Sequence, residues 1–240
     1  MIIRPTHPLI SCICVTAYRP QFLLKAVINF DNQTYPNKEL VISYPNNDFL
    51  TRDLVKNIIE ISDLNIIIIE RKISVSLGQA RNEAVLKSNG EYVCTWDDDD
   101  WYADRRLSGQ HNVLLTLKQK REATILRNVL IYDGLKDNAY LSGDYNWAGT
   151  LLCKKEIIVN HPYDDSDSIE DKHLVSYLIT SKYLHYIQDR GDLYIFNYHG
   201  DNTIHKHYFT FLIKRGQLLT EESKIWIKGM LNKNIDIVLS

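Results

Sequence analysis

Four consecutive aspartates, Asp97 to Asp100, stand between Trp96 and Trp101 and directly follow the apolar run from Glu91 to Thr95. Carboxylates clustered at the end of a buried strand can hold a divalent metal against a phosphate, because hard cations take oxygen ligands. Without a cation, adjacent carboxylates repel one another and resist desolvation. Most charge runs are solvated loops, but two tryptophans and a preceding strand argue for packed structure here, and a metal site is the favoured reading. On an extended segment Asp97 and Asp99 point the same way, which leaves Asp98 facing solvent. A second acidic pair, Glu170-Asp171, opens a predicted helix, where the dipole favours anions. There the choice lies between a helix cap and a general base. Arg81 lies at another helix start, where a guanidinium and free backbone N–H groups can together hold a phosphate. A surface salt bridge is its structural alternative.

The elements that must position these groups alternate over the first hundred residues. Leu9–Thr16 reads as a strand and Gln21–Phe30 as a helix with a proline at its start. Glu39–Tyr44 is a short strand and Thr51–Ile61 an amphipathic helix. Asn65–Ile69 holds four consecutive isoleucines, the pattern of a strand buried on both faces. Leu77–Lys87 is helical, with Asn89-Gly90 as a left-handed cap, and Glu91–Trp96 is the next strand. This order predicts an α/β fold with a parallel sheet, helices on both faces, and a nucleotide-sized crevice at the strands' C-terminal ends. The second half is less regular. Helices are predicted over Asp104–Lys120, capped by Asp104, over Asp171–Ser181 and from His205 onward. Strands are predicted over Ala123–Tyr132, Gly149–Cys153, Tyr183–Gln188 and Leu193–Tyr198.

Composition bounds the function. The apolar share of 45% and charged share of 24% are those of an ordinary globular chain, and 240 residues suffice for one large domain. A net charge of −2 excludes strong nonspecific binding to nucleic acid. Cys12, Cys14, Cys94 and Cys153 all fall in predicted strands and lack zinc-site spacing, so they read as reduced core residues. The apolar stretch from Leu9 to Ala17 alternates with polar residues and stops at Arg19-Pro20; it is a strand pattern, not a signal peptide, and the expectation is a cytoplasmic chain. Aromatics and lysines mix over Tyr208–Lys214 and Ile225–Leu231. A packed terminal helix with snorkelling lysines is the favoured account, with peripheral association at the inner face of a membrane as the alternative.

The chain resembles the family-2 glycosyltransferases of the GT-A fold. Thr16-Ala17-Tyr18-Arg19-Pro20 is similar to the family's turn after strand one, and Gln33 to Ile42 to its lead into strand two. Gly78-Gln79-Ala80-Arg81-Asn82 looks like its G-x-A-R-N helix start. Gly90-Glu91-Tyr92 followed by Asp97–Asp100 looks like its strand and metal motif, and Glu170-Asp171 like its acidic pair. The resemblance implies a Rossmann-like, mostly parallel central sheet flanked by helices, a smaller acceptor-side sheet and C-terminal helices. It implies a single domain over 1–240, with residues 1–101 binding nucleotide and 102–240 binding acceptor. The implied activity is metal-dependent, inverting transfer from a nucleotide-sugar donor, UDP-linked, to a glycan or lipid-linked acceptor in bacterial surface polysaccharide synthesis. Thr16, Tyr18, Arg19, Arg81, Asp97 and Asp98 then form the donor-binding set. Tyr18 would stack on the base and Asp97 face the sugar or ribose. Asp99, with Asp97 and His199, takes Mn2+ or Mg2+, His205 and His207 being alternatives to His199. Asp171 is the base and Glu170 supports it, ahead of Asp164, Asp165 and Asp167. Trp147 either lines an acceptor pocket or is core.

One departure stands out. Where the family ends strand two on a carboxylate that reads the nucleobase, this chain has Ser43-Tyr44-Pro45-Asn46-Asn47-Asp48, so base contact passes to Asn46, Asn47 or Asp48. That change keeps a non-catalytic nucleotide-sugar or glycan-binding relative as the second reading. A nucleotidyltransferase ranks last, because Thr16–Phe22 lacks the glycine-rich loop it would want.

Overall fold

A computed structural model describes residues 7–117, 121–204 and 206–232. The first half contains β1 (Ile10–Val15), α1 (Pro20–Asp31), β2 (Lys38–Pro45), α2 (Phe49–Ile61), β3 (Ile66–Arg71), α3 (Leu77–Lys87) and β4 (Tyr92–Thr95). These strands are parallel, in the order β4-β1-β2-β3. β2 and β3 add to one side of β1 and β4 to the other, so the strand order reverses there and opens a crevice at the C-terminal ends of β1 and β4. Alternation along β1 sends Cys12 and Cys14 into a core with α1 and α2, and Ile13 into a second core with α3. All four cysteines are buried and free.

The second half adds β5 (Trp101–Tyr102), α4 (Arg106–Thr116), β6 (Ala123–Leu126), β7 (Leu130–Asp133), β8 (Asn138–Leu141), β9 (Leu152–Lys154), α5 (Lys155–Asn160) and α6 (Lys172–Thr180). It closes with β10 (Leu184–Ile187), β11 (Tyr194–Tyr198), α7 (Lys206–Lys214), β12 (Gln217–Leu218) and α8 (Glu221–Asn232). The main sheet has seven strands, β10-β6-β9-β4-β1-β2-β3, with β9 alone running antiparallel to its neighbours. A smaller sheet orders β12-β8-β7-β11-β5. The fold is therefore the mixed α/β architecture, with a mostly parallel sheet and a smaller second one. Among the described residues no helix is long and apolar enough to cross a membrane.

Several sequence expectations need correction. The isoleucine strand β3 lies at the sheet edge and is not buried on both faces; Ile68 is 38% exposed. α3 ends at an extended Ser88, and neither Asn89 nor Gly90 is left-handed. Gly90 answers a close approach instead, since a Cβ there would lie 2.4 Å from Ser11 Oγ. Buried Glu39 fixes this turn by accepting from Ser11 Oγ at 2.6 Å and from Asn89 N at 2.6 Å. α4 starts at Arg106 without a side-chain cap, and the Asp104 carbonyl accepts from Thr34 N at 2.8 Å. The end of that predicted helix, residues 118–120, lies outside the described residues, as does His205. Ala123–Tyr132 is not one strand: it splits into β6 and β7, which enter different sheets.

Candidate active site

The aspartates follow β4 into the crevice through a turn at Asp98-Asp99 rather than an extended segment. Their side chains consequently diverge. Asp97 Oδ1 accepts from Arg81 Nη2 at 2.9 Å. Asp98 is 1% exposed, not solvated, and accepts from Thr16 Oγ1 and Arg19 Nη2, both at 2.6 Å. Asp99 Oδ2 meets Arg19 Nη1 at 3.1 Å, His199 Nε2 at 3.1 Å and Asn202 Nδ2 at 3.3 Å. Asp100 is buried, accepting from the Tyr194 hydroxyl and, at 2.9 Å, from Asn197 N. Burial pushes Asp97 up, with Arg81 the main opposing charge. Asp98 is pushed up to about 7 by burial and then by the charge of Asp99. Burial also lifts Asp100 well above the carboxylate range. Asp99 goes the other way: its burial would raise it, but His199 and Arg19 together hold it down.

Arg81 joins this loop to the second acidic pair. Its Nε lies 3.4 Å from Glu170 Oε1, so one buried guanidinium faces Asp97 and Glu170 at once. The N-terminus of α3 is not open to a phosphate, contrary to expectation. Leu77 N donates to Asp167 Oδ1 at 2.9 Å, Gly78 N to the Ser166 carbonyl at 3.0 Å, and Gln79 N to Ser76 Oγ at 3.2 Å. The segment 163–171 lies across the helix end and is tied further by Asp165 to Ser76 and Gln79, both at 2.7 Å, and by Asn82 to Tyr163. Gly78 is required because a Cβ would fall 1.8 Å from the Asp164 carbonyl oxygen. Asp165 and Asp167 are thus scaffold, and Asp164 pairs with His173 at 2.7 Å. Asp171 takes the N-cap position of α6 yet makes no side-chain capping bond. Burial raises both Glu170 and Asp171, with Arg81 opposing.

Tyr18 lies at the end of β1 with its ring half exposed, bonded to Asn47 and Asp48. Of the three candidate histidines, His199 meets Asp99 and stacks on Phe22 at 4.8 Å, whereas His207 is exposed on α7. Trp147 is core, its Nε1 donating to Ser142 Oγ at 3.1 Å. A cavity of about 160 Å³ adjoins the loop, lined by Phe22, Lys25, Asp98, Asp99 and Lys228 among others.

The residues fit a divalent cation in part. Among the described residues no group of three His, Cys, Asp or Glu is arranged around one point, so the triad of Asp97, Asp99 and His199 is not assembled. Asp99 and His199 do converge, and an oxygen and a nitrogen donor leave room for diphosphate oxygens and water. The charge balance favours a cation too: Asp97–Asp100, Glu170 and Asp171 outnumber Arg19, Arg81 and Arg106. Arg106 went unread in the sequence. It is fully buried, its guanidinium stacked over Tyr102 at 4.5 Å and its Nη1 without a partner, and it opposes the upward shift of Asp97. A charge on the leucine face of α4, next to Leu107, was the available signal. Asn197, Asn202 and Tyr194 carried no such signal, because their roles depend on the second sheet folding back.

Residues 11–137 match the family model described as glycosyl transferase family 2. The chain belongs to that family. Over 116 residues it is 32% identical to the colanic acid biosynthesis glycosyl transferase WcaA of Escherichia coli K12, covering 48% of this chain and 39% of that one. Over 108 residues it is 28% identical to an uncharacterised glycosyltransferase of Haemophilus influenzae, covering 45% and 43%. The matches thus span about two-fifths of these relatives. Among solved structures, S. aureus TarS 1–349 in complex with UDP superposes with a TM-score of 0.62 at 15% identity, covering 78% of this chain and 60% of that one. The mannosyltransferase PcManGT from Pyrobaculum calidifontis, in complex with GDP-Man and Mn2+, gives 0.65 at 16%, covering 83% and 58%. At such identities the family likeness in structure speaks for the GT-A fold.

Proposed function

We propose that the chain is a metal-dependent, inverting glycosyltransferase. It moves a sugar from a nucleotide-sugar donor, UDP-linked, to a hydroxyl of a glycan or lipid-linked acceptor in bacterial surface polysaccharide synthesis, working in the cytoplasm. The observation that carries this reading is Arg81, whose single guanidinium faces Asp97 at 2.9 Å and Glu170 at 3.4 Å. It sets the donor-side Asp97 opposite Glu170, the neighbour of the candidate base Asp171. The match to WcaA supports the polysaccharide assignment.

In this reading residues 1–101 hold the donor and 102–240 shape the acceptor side. Thr16, Tyr18, Arg19, Arg81, Asp97 and Asp98 form the donor site. A bound Mn2+ or Mg2+, held by Asp99 and His199, would supply the Lewis acid for the departing diphosphate. Asp171 takes the acceptor proton as the acceptor oxygen bonds to the anomeric carbon and the bond to diphosphate breaks, which inverts configuration. Its lack of a capping bond leaves it able to do so. Glu170 and Arg81 hold the segment that carries it.

The test is calorimetric titration of UDP with and without Mn2+. Binding that needs the metal and disappears in Asp99→Ala is the expected result. No UDP binding in either condition overturns the uridine assignment.

A further inference from the structure

Arg106 begins α4 and is fully buried, yet among the described residues no carboxylate lies within ion-pair distance of it. A buried charge without a counter-ion is unfavourable, and an apolar side chain of similar size often packs in its place without loss of stability. Packing alone therefore does not account for an arginine here. Its nitrogens are used unevenly: Nε donates to Gln110 Oε1 at 3.0 Å, Nη2 to the Gly149 carbonyl at 3.3 Å, and Nη1 has no partner. The guanidinium lies over three aromatic rings, 4.5 Å from the centroid of Tyr102, 5.3 Å from Trp96 and 5.9 Å from Tyr194. Ring faces attract a cation, so these contacts hold it in place.

Two of those rings stand at the two ends of the aspartate loop. Trp96 precedes Asp97 and Tyr102 follows Trp101, and their rings stack at 3.9 Å to close the neck of the loop. The Tyr102 hydroxyl donates to the Asp97 carbonyl at 3.0 Å, and the Tyr194 hydroxyl donates to Asp100. Gly149 makes a further link. A Cβ there would lie 2.8 Å from the Tyr194 hydroxyl and 3.2 Å from Asp97 Oδ2, so the backbone that Arg106 holds passes directly against Asp97. Gln110, one helical turn along α4 from Arg106, fixes the same backbone by donating to the Thr150 carbonyl at 2.8 Å. We infer that Arg106 is a positioning residue of the donor site, a buried cation that holds the four-aspartate loop closed and Asp97 in place for the donor. Neighbouring carboxylates repel one another, and a positive charge in the low-dielectric interior at the neck counters that repulsion. Arg106 is closed off from solvent, so it acts through the loop and not by touching the donor. This inference rests on the nucleotide-sugar reading above.

The experiment titrates UDP and GDP, each with Mn2+, into wild type, Arg106→Lys, Arg106→Gln and Gly149→Ala, and records the melting temperature of each. Arg106→Gln keeps amide donors but removes the charge, and should weaken binding of the preferred nucleotide by about 10- to 100-fold, as loss of a group that orients a ligand-binding residue does. Arg106→Lys keeps the charge without the planar fork and should bind within about fivefold of wild type. A role in packing alone would give both variants the same loss, in step with their melting temperatures. Gly149→Ala leaves Arg106 in place, and only the far ends of Tyr194 and Asp97 oppose the new Cβ. It should weaken binding about tenfold by displacing Asp97. Equal affinity in the two Arg106 variants, or wild-type affinity in Arg106→Gln or in Gly149→Ala, overturns the inference. Should neither Arg106 variant fold, Gly149→Ala decides it. If wild type binds neither nucleotide, the nucleotide-sugar reading itself has failed, and this inference with it.

Discussion

Two acidic segments flank Arg81, and their carboxylates meet different fates. In the loop Asp97–Asp100 the side chains draw partners from four parts of the fold: α3 for Asp97, the turn after β1 for Asp98 and Asp99, the region after β11 for Asp99, and β11 for Asp100. In the segment 163–171, Asp165 and Asp167 bond to the end of α3, and Asp164 to His173. Of this segment's acids only Glu170 is buried; burial raises it and its partly buried neighbour Asp171, against the charge of Arg81. Acidity is common to both segments, so residue type alone does not assign a role. Desolvation does: a buried carboxylate short of partners is in a costly state. The site gathers carboxylates whose burial outweighs their partners, as the raised Asp97, Asp98, Asp100, Glu170 and Asp171 show, whereas the scaffold acids bond to the end of α3 and to His173.

The largest effect should separate Asp171 from its acidic neighbours. Asp171→Asn should lower donor turnover, followed as UDP release from UDP-sugar, by roughly 10²–10⁴-fold, the usual worth of a general base, with donor binding intact. Asp165→Asn should leave turnover within about threefold while loosening the segment, as expected of an exposed position. Equal losses in the two variants would break the comparison.

Gly78→Ala comes next. The new Cβ would meet the Asp164 carbonyl at 1.8 Å, and backbone cannot move aside as a side chain can. The cost should be about 1–3 kcal/mol or more in denaturant unfolding. Turnover should fall too, because the displaced segment carries Glu170 and Asp171. A stable variant with full turnover would show that the segment does not position the pair.

These contrasts were unevenly visible in the chain. The alternation up to Trp96 was legible because buried parallel strands read as apolar runs between turns. Asp98 was misjudged because alternation holds only for extended backbone, and the turn at Asp98-Asp99 breaks it. The closed end of α3 had no local sign, since the group accepting from Leu77 N lies ninety residues on, at Asp167. Strands β5 and β12 are two residues each, too short to show a period. The Glu170-Asp171 pair was legible as a pattern, but only its missing cap bond distinguishes Asp171 from an ordinary helix start.

The pH dependence sharpens the contrast by a smaller margin. Burial raises the folded-state pKa of Asp171, against the pull of Arg81. A carboxyl so raised contributes stability that is fully present below its unfolded pKa and lost as pH rises through the folded value. Asp171→Asn should therefore melt higher than wild type at neutral pH, and the gap should close on acidification. Rate runs the other way, because the base works only when ionised. The acid limb of kcat should lie above the ordinary carboxylate range. A limb at the ordinary value, with equal melting temperatures at neutral pH, would remove Asp171 from the role.

The smallest effect belongs to the cap of α3. Ser76 Oγ accepts from Gln79 N at 3.2 Å and donates to Asp165 at 2.7 Å, while Gln79 Oε1 accepts from Ser76 N at 3.4 Å. Ser76→Ala should cost about 1 kcal/mol, as loss of an N-cap does, and no more, because Leu77 N and Gly78 N keep their partners at Asp167 and Ser166. Arg81, Glu170 and Asp171 do not bond through Ser76, so kcat should stay within about twofold of wild type, the scale of a surface change. A loss of turnover approaching that of Asp171→Asn would mean that the scaffold acids and the buried pair act as one unit.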